Sequence, residues 1–456
     1  MSRSTDRTTA LIILTISSFM TAFAGSAVNI ALPSMAADFG LDAVALGWVS
    51  TAYLLTTAIV LVPAGRWADI HGRKRVFLFG ITVFGLASFL IALAPTATIL
   101  IQLRVLQGAG GAMTWATGVA ILTSVYPAQE KGRVLGINIA SVYVGLSLGP
   151  TIGGFQTQQF GWRSVFLVCV PFAVLIVVMT LWKLKGEWAE ARGESFDLIG
   201  SILYGLSLLA IMYGFTRLPA GLGAALIALG VACFVAFAIW EGRVKSPVLD
   251  LRIFRNNTVF TFSNIAALIN YSATSATAFL LSLYLQQIRG LPPQTAGLLM
   301  IAQPVVQAIF SPLAGRMSDT VEPRLLASAG MAMTAVGLFL FALLSPSTPF
   351  FMVVLVLMLL GLGFGLFSSP NTNAVMSAVE KRLYGVASAT LSTMRTLGQT
   401  MSIGIAVLVF TVLIGHVAIS PAVYPQLMSS IKTTFTIFGV LCVVGIFFSL
   451  SRGKMH

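Results

Sequence analysis

Charge is scarce in this sequence. Only 9% of its 456 residues are Asp, Glu, Lys or Arg, against about 25% in soluble domains, which leaves too little polar surface for a water-soluble enzyme of this length. Disorder is excluded from the opposite direction: disordered chains are poor in apolar residues, and 57% of this chain is hydrophobic. The three cysteines, Cys169, Cys233 and Cys442, lie inside apolar runs and read as small packing groups, not as redox or metal chemistry. The histidines, His71, His416 and His456, have no neighbours at metal-ligand spacing, so no metal and no cofactor is expected. Acidic residues number fourteen. None falls in the middle of a long apolar run, which removes a general acid–base pair from any lipid-buried site. A phosphate-cradling Gly-x-x-x-x-Gly-Lys-Ser/Thr loop is missing as well, so neither an enzyme nor an ATP-driven pump is expected.

What the chain does have is length in its hydrophobic runs. Crossing the hydrocarbon takes about 20 largely apolar residues. Fourteen stretches qualify: near 9–33, 46–64, 76–94, 98–125, 134–156, 163–182, 198–216, 221–240, 258–287, 295–314, 325–344, 349–378, 385–416 and 431–450. The fold class is therefore an all-α membrane protein. An even number of spans puts both termini on one side. With that side inside, 21 of the 27 basic residues fall in inner segments, as expected of cytoplasmic loops. Arg163, Arg217, Arg289 and Lys432 fall outside, and Arg104 and Arg395 fall within spans. The net charge of +13 is thus explained by topology, and nucleic acid is not an expected partner.

The chain also repeats itself. Gly65-Arg66 with Asp69 after span 2 is echoed by Gly315-Arg316 with Asp319 after span 10, and the glycines of span 4 by Gly361-Leu-Gly363-Phe-Gly365 in span 12. Two related six-helix halves are expected, residues 1–186 and 258–456, with spans 7 and 8 inserted between them as 187–257: a 6+2+6 arrangement.

Several motifs resemble the major facilitator superfamily, and within it the fourteen-span branch of drug:proton antiporters. They include Gly65 to Arg75 between spans 2 and 3, Arg104-Val-Leu-Gln107-Gly108 in span 4, and Gly145-Leu-Ser-Leu-Gly149-Pro150-Thr-Ile-Gly153-Gly154 in span 5. Val28-Asn29-Ile-Ala-Leu-Pro33, Ser246-Pro247-Val-Leu-Asp250, Pro370-Asn371-Thr-Asn373 and Met394-Arg395-Thr-Leu-Gly398 add to them. The resemblance covers almost the whole chain. It implies a secondary active exporter in the cell membrane, working by alternating access on small amphipathic molecules and coupled to protons, as a monomer in the lipid bilayer.

Each motif also has its own chemistry. In the 65–75 loop, Gly65 and Gly72 permit tight turning, and Asp69 can pair with a nearby cation such as Arg73 or Lys74. The family reading makes this loop, with Asp319, a cytoplasmic latch between the halves; the plain alternative is an ordinary basic loop. In span 5, Gly145, Gly149 and Gly153 share one helix face, and a bare face admits close helix approach. Pro150 bends the helix nearby, and Gly154 ends the motif. The family assigns this seam to the contact that seals the outer side, while generic helix packing would account for the glycines equally well.

Arg104 lies about 9 Å in from the outer surface, within reach of lipid headgroups by snorkelling; the family motif points it instead into a central cavity. Arg395 lies about 15 Å deep, too far to snorkel, so a cavity position or a structural bond to a broken helix is required. Asn29, Gln107, Trp115, Asn264, Asn270, Tyr271, Gln303, Gln307, Asn371, Asn373 and Gln399 are further candidates for lining the cavity, with interhelical hydrogen bonding as their common alternative.

The branch usually carries an Asp in span 1 at the position of Ala24. Its absence leaves Asp38, Asp42 and His416 as candidate proton carriers. It also points to an electropositive cavity suited to neutral or anionic cargo, with uncoupled facilitation as the alternative mechanism.

Overall fold

The computed structural model describes residues 7–249, 254, 257–318, 320–380, 384–415 and 417–453. Fourteen of its helices are long and apolar enough to cross a membrane. They are labelled here in span order: α1 (Arg7–Phe39), α2 (Ala43–His71), α3 (Arg73–Ala92), α4 (Ala97–Val125) and α5 (Ala128–Phe160). After them come α6 (Ser164–Lys183), α7 (Leu198–Arg217), α8 (Gly221–Glu241), α9 (Thr258–Ile288) and α10 (Pro293–Met317). The last four are α11 (Pro323–Ala342), α12 (Phe350–Ser377), α13 (Tyr384–Leu413) and α14 (Tyr424–Ser451). Helix is the form that meets backbone hydrogen bonding inside each span, as hydrocarbon demands. Polar caps sit where the chain leaves it: Asp42 accepts from the Ala45 N–H at 2.6 Å and Asp197 from the Gly200 N–H at 2.9 Å.

Three local expectations change. The segment from Gly65 to Arg75 is not a loop, since α2 runs to His71 and α3 begins at Arg73. The corner is Gly72 alone, at φ +120°, a conformation that side chains rarely adopt. Lys432 is not in an outer loop either, because α14 begins at Tyr424 and carries it inside the helix. Finally, α9 is discontinuous. Its first part ends at Thr274, a second begins at Thr277, and a π turn spans Tyr284–Ile288. At the break the Ala276 N–H donates to the Ser402 hydroxyl of α13 at 2.9 Å.

The helices alternate between a termini end, where Arg7 and Ser451 lie, and a far end. At the far end one hydrophobic core joins the first six helices to the last six. Val28, Leu32, Val44, Trp162 and Phe166 pack in the same cluster as Phe279, Leu283, Met300, Val407 and Phe410. Towards the termini end the cores are separate: Ile13, Phe77, Ile121 and Ile176 in the first half, Phe260, Met331, Phe367 and Leu391 in the second. The halves therefore meet at one end and part towards the other. Helices α7 and α8 lie along the side where α2 faces α13. The Tyr204 hydroxyl donates to the Ala58 carbonyl of α2 at 3.1 Å, and Gly404 of α13 faces Met212 and Phe215.

One residue read from sequence as a plain inner cation is a structural bolt. Arg452 is fully buried. It donates to the Ser449 carbonyl (2.9 Å) and hydroxyl (2.8 Å), the Ser263 hydroxyl (3.2 Å) and the Asn371 side-chain oxygen (3.0 Å). Burial pulls its pKa down to about 10, which leaves it charged at neutral pH. Arg452→Ala strands these acceptors in a dry interior and is expected to cost about 3 kcal/mol. The measurement is thermal unfolding in detergent, and an unchanged midpoint would show the bolt to be dispensable.

Candidate functional site

The closed far end is built first from α5. Pro150 has no N–H, which frees the Leu146 carbonyl one turn back, and the Ser26 hydroxyl of α1 donates to it at 3.1 Å. The glycine face of α5 lies on the same partner. A β-carbon at Gly145 would meet the Phe19 carbonyl at 2.6 Å, and one at Gly149 would meet the Ser26 β-carbon at 2.6 Å. One at Gly153 would meet the Ala27 β-carbon at 2.7 Å. These three glycines therefore join α1 to α5 within one half and are not themselves the seam between halves. The crossing contact falls to their neighbours: a β-carbon at Gly154 would lie 2.5 Å from the Pro293 carbonyl of α10, and Gly297 of α10 rests on the Pro150 carbonyl.

Side chains also tie the halves together at this end. The Gln286 side chain, in the π turn of α9, donates to the Ile30 carbonyl of α1 at 2.9 Å, and the Gln294 N–H donates to the Gln158 side chain at 3.3 Å. Sequence reading missed Gln286, for a π turn leaves no compositional mark. Asp42 pairs by a backbone bridge with Ala418. Asp38 is engaged by Arg163 (2.7 Å) and the Trp162 ring N–H (3.0 Å). His416 lies outside the described residues.

At the termini end the Gly65–Arg75 region is held by the connection between α6 and α7, residues 184–194. Arg73 pairs with Asp69 at 2.7 Å and with Glu190 at 2.8 Å. The Lys74 N–H donates to Glu187 at 2.8 Å, and Arg66 pairs with Glu194 at 2.5 Å. Main-chain bonds join Arg73 to Trp188 (2.8 Å) and Ala191 to Asp69 (3.0 Å). Hydrogen bonds from Arg66 and Ser246 hold the Glu194 carboxyl below its ordinary pKa. The basic corner is thus strapped to its own half by the chain leading into α7. The run Glu187, Glu190, Glu194 between α6 and α7, on the same side as the basic corner, was the available signal. Asp319 lies outside the described residues.

The two intramembrane arginines part company. Arg104 reaches neither headgroups nor the space between the halves. It is 2% exposed and sits inside the first half, where it donates to the Val49 carbonyl of α2 at 2.9 Å and to Gln107 at 2.5 Å. Its guanidinium lies 4.4 Å from the Tyr53 ring centre, and Gln107 passes the chain on to Ser88 at 2.8 Å. Arg395 is only half-buried. It donates to the Thr372 hydroxyl at 2.6 Å, lies 5.7 Å from the Tyr271 ring centre, and leaves its buried Nε without a partner.

Other predicted residues divide in the same way. Asn371 is structural, donating to the Ser263 carbonyl at 3.1 Å while accepting from Arg452. Asn264 is buried and donates to the Phe260 carbonyl at 2.8 Å, and Asn373 donates to the Ser318 hydroxyl at 2.9 Å. Asn270 is fully buried with both amide atoms unpartnered, a place for an internal water. Gln307 is buried. Gln303, Gln399 and Tyr271 are half-buried. Asn29 is half-buried and donates to the Gly25 carbonyl at 3.4 Å, and Gly25 itself opens on space with nothing within 4 Å of where a β-carbon would sit. Trp115 joins Ser17, Ser18, Thr21 and Thr114 around a crevice of about 10 Å³, room for about one water. Ala24, where the branch usually has Asp, is 2% exposed in the first-half core.

A model of the Major Facilitator Superfamily matches residues 14–245 and 263–454. The chain is 33% identical over 392 residues to the riboflavin transporter RibZ of Clostridioides difficile (strain 630), covering 85% of this chain and 84% of that protein. It is also 33% identical over 391 residues to the multidrug resistance protein Stp of Mycobacterium tuberculosis (strain CDC 1551 / Oshkosh), covering 84% and 71%. Among solved structures, a peptide transporter POT superposes with a TM-score of 0.71 at 14% identity over 98% of this chain and 96% of that one, a likeness of fold.

Proposed function

Since the chain belongs to the Major Facilitator Superfamily, and so is a multi-pass membrane transporter and not an enzyme, we propose that it exports small amphipathic molecules of neutral or anionic character by alternating access. The residue boundaries proposed are 1–186 and 258–456 for the two halves and 187–257 for the insertion. With the termini cytoplasmic, as the basic residues favour, the closed far end is the outer one and the conformation is inward-facing. The cell membrane is the proposed location, and a monomer the proposed unit.

The observation that carries the reading is Arg395. Of the two mid-span arginines it is the one whose guanidinium is not fully enclosed, and its Nε has no partner among the described residues. Every described carboxylate lies at a helix end or in a connection, so nothing acidic neutralises it from mid-span. A membrane-buried cation of this kind calls for water, a partner or a ligand. Arg395 over Tyr271, with Gln399 on the same helix and Gln303 on α10, forms a wall able to bind an anionic or hydrogen-bonding group beside an aromatic ring. One relative is a riboflavin transporter and another a multidrug resistance protein, a range in keeping with such a wall.

Proton coupling is proposed with export, through carboxylates at the far end such as Asp42. A second reading, export without proton exchange, draws on Ala24 in the position of the branch's usual Asp. One assay addresses charge and coupling together. Purified protein in liposomes, with and without an imposed pH gradient, is offered an anionic dye, riboflavin and ethidium. Movement of the first two, accelerated by the gradient, is the expected result. Equal rates with and without the gradient favour the second reading. Strong ethidium transport with neither of the others would overturn the charge assignment.

A further inference from the structure

One apolar cavity lies away from the interface between the halves. It has a volume of about 220 Å³ and lies where the inserted pair meets α13, lined by Tyr204 of α7, Phe234 and Phe237 of α8, Leu249, Phe254, and Thr393, Met394 and Leu397 of α13. The lining is almost wholly hydrocarbon and aromatic ring. Phe234 is 43% exposed on the outside of α8 while Phe237 is 1% exposed, so the cavity reaches from the lipid-facing surface of the inserted pair to its interior. The space exceeds the ~150 Å³ that accommodates a benzene ring in a dry apolar cavity, and so has room for a run of several methylene groups.

Its depth points to the occupant. Phe237 is about 6 Å, and Tyr204 about 9 Å, from the termini ends of α8 and α7. Both lie within membrane-crossing segments, so the surrounding solvent is the acyl-chain layer of that leaflet. A headgroup belonging to a chain in the cavity would lie where α8 ends at Glu241. Arg243 and Lys245 follow directly, both exposed and neither in an ion pair among the described residues. Basic pockets at this level of a helical bundle suit lipid phosphates.

We propose that this cavity binds one acyl chain of an anionic phospholipid from the termini-side leaflet, with Arg243 and Lys245 holding its headgroup. The lipid then forms part of the joint between the inserted pair and α13, the helix that also carries Arg395. The chemistry is recognition of one phosphate by two cations and of one chain by a dry aromatic slot. It does not depend on what the protein transports.

The test is native mass spectrometry of protein released from nanodiscs of phosphatidylglycerol, phosphatidylcholine or their mixture. The wild type is expected to keep one phosphatidylglycerol and to prefer it to phosphatidylcholine. Each cation near an anionic headgroup contributes about fivefold, so Arg243→Gln/Lys245→Gln should lower that preference about 25-fold with the cavity untouched. Met394→Trp fills the slot and should abolish retention of either lipid. Where that variant folds poorly, wild type reconstituted with phosphatidylglycerol brominated in its acyl chain supplies the second readout, bromine density between α8 and α13. Equal retention of both lipids, or bromine density elsewhere, overturns the proposal. So does a Met394→Trp protein that loses transport but keeps its lipid, since the slot would then belong to the tail of a transported molecule.

Discussion

Arg395→Gln is expected to reduce transport of an anionic substrate by about 10- to 150-fold while leaving the protein folded, the range equivalent to one hydrogen bond to a charged group, about 1.5–3 kcal/mol. The expectation follows from how little of Arg395 the protein itself uses. Among the described residues it has one hydrogen bond, to Thr372, and one loose ring contact, to Tyr271, while Nε has no partner. Its loss therefore removes a ligand contact more than a structural one. Arg395→Lys should recover part of the rate, because an ammonium keeps the charge but not the planar fork that lies against Tyr271. Arg104→Gln is the contrasting case. Its bonds to Val49 and Gln107 are internal to the first half, so its loss should appear chiefly as a lower melting temperature. The measurements are initial transport rates in liposomes beside thermal unfolding of the same preparations. If Arg395→Gln melts early and Arg104→Gln transports poorly at full stability, the two assignments are reversed.

Valine at Gly154 and valine at Gly149 should fail in different ways, although the two positions stand five residues apart in one motif. A β-carbon at Gly154 meets the Pro293 carbonyl of α10, main chain of the opposite half that cannot rotate away. Relief comes from parting the halves at the far end. Overpacking costs about 1–3 kcal/mol, which moves an equilibrium between two conformations roughly 5- to 150-fold. At Gly149 the obstacle is Ser26 and Ala27 of α1, in the same half, and both conformations of the cycle need that contact. Gly149→Val is therefore expected to lower folding yield, and Gly154→Val to leave yield near wild type while opening the far end. The reporter is Gly25→Cys in a cysteine-free background, placed where the structure has open space. Its labelling by an impermeant thiol reagent should rise from the far side and fall from the termini side in Gly154→Val. Identical labelling in the two backgrounds would show that Gly154 does not control closure.

These contrasts mark what could be read before any coordinates. The number of spans, their approximate limits and the family were all legible. Each is a local property: a helix in lipid satisfies its own backbone, and hydropathy, charge and motif spacing are written residue by residue. Partners were not legible. A span that is apolar on every side carries no stripe to show which face turns inward, so Arg104 and Arg395 looked alike until the packing enclosed one and left the other partly open. The glycines of α5 looked like one seam, yet neighbouring residues on a helix point about 100° apart, and that rotation gives Gly153 to α1 and Gly154 to α10. Arg452 and the strap at Glu187, Glu190 and Glu194 depend on segments 81 to 189 residues distant in the chain, and only the tertiary structure, by bringing those segments together, decides which charges are enclosed, which are paired and which remain available to a ligand.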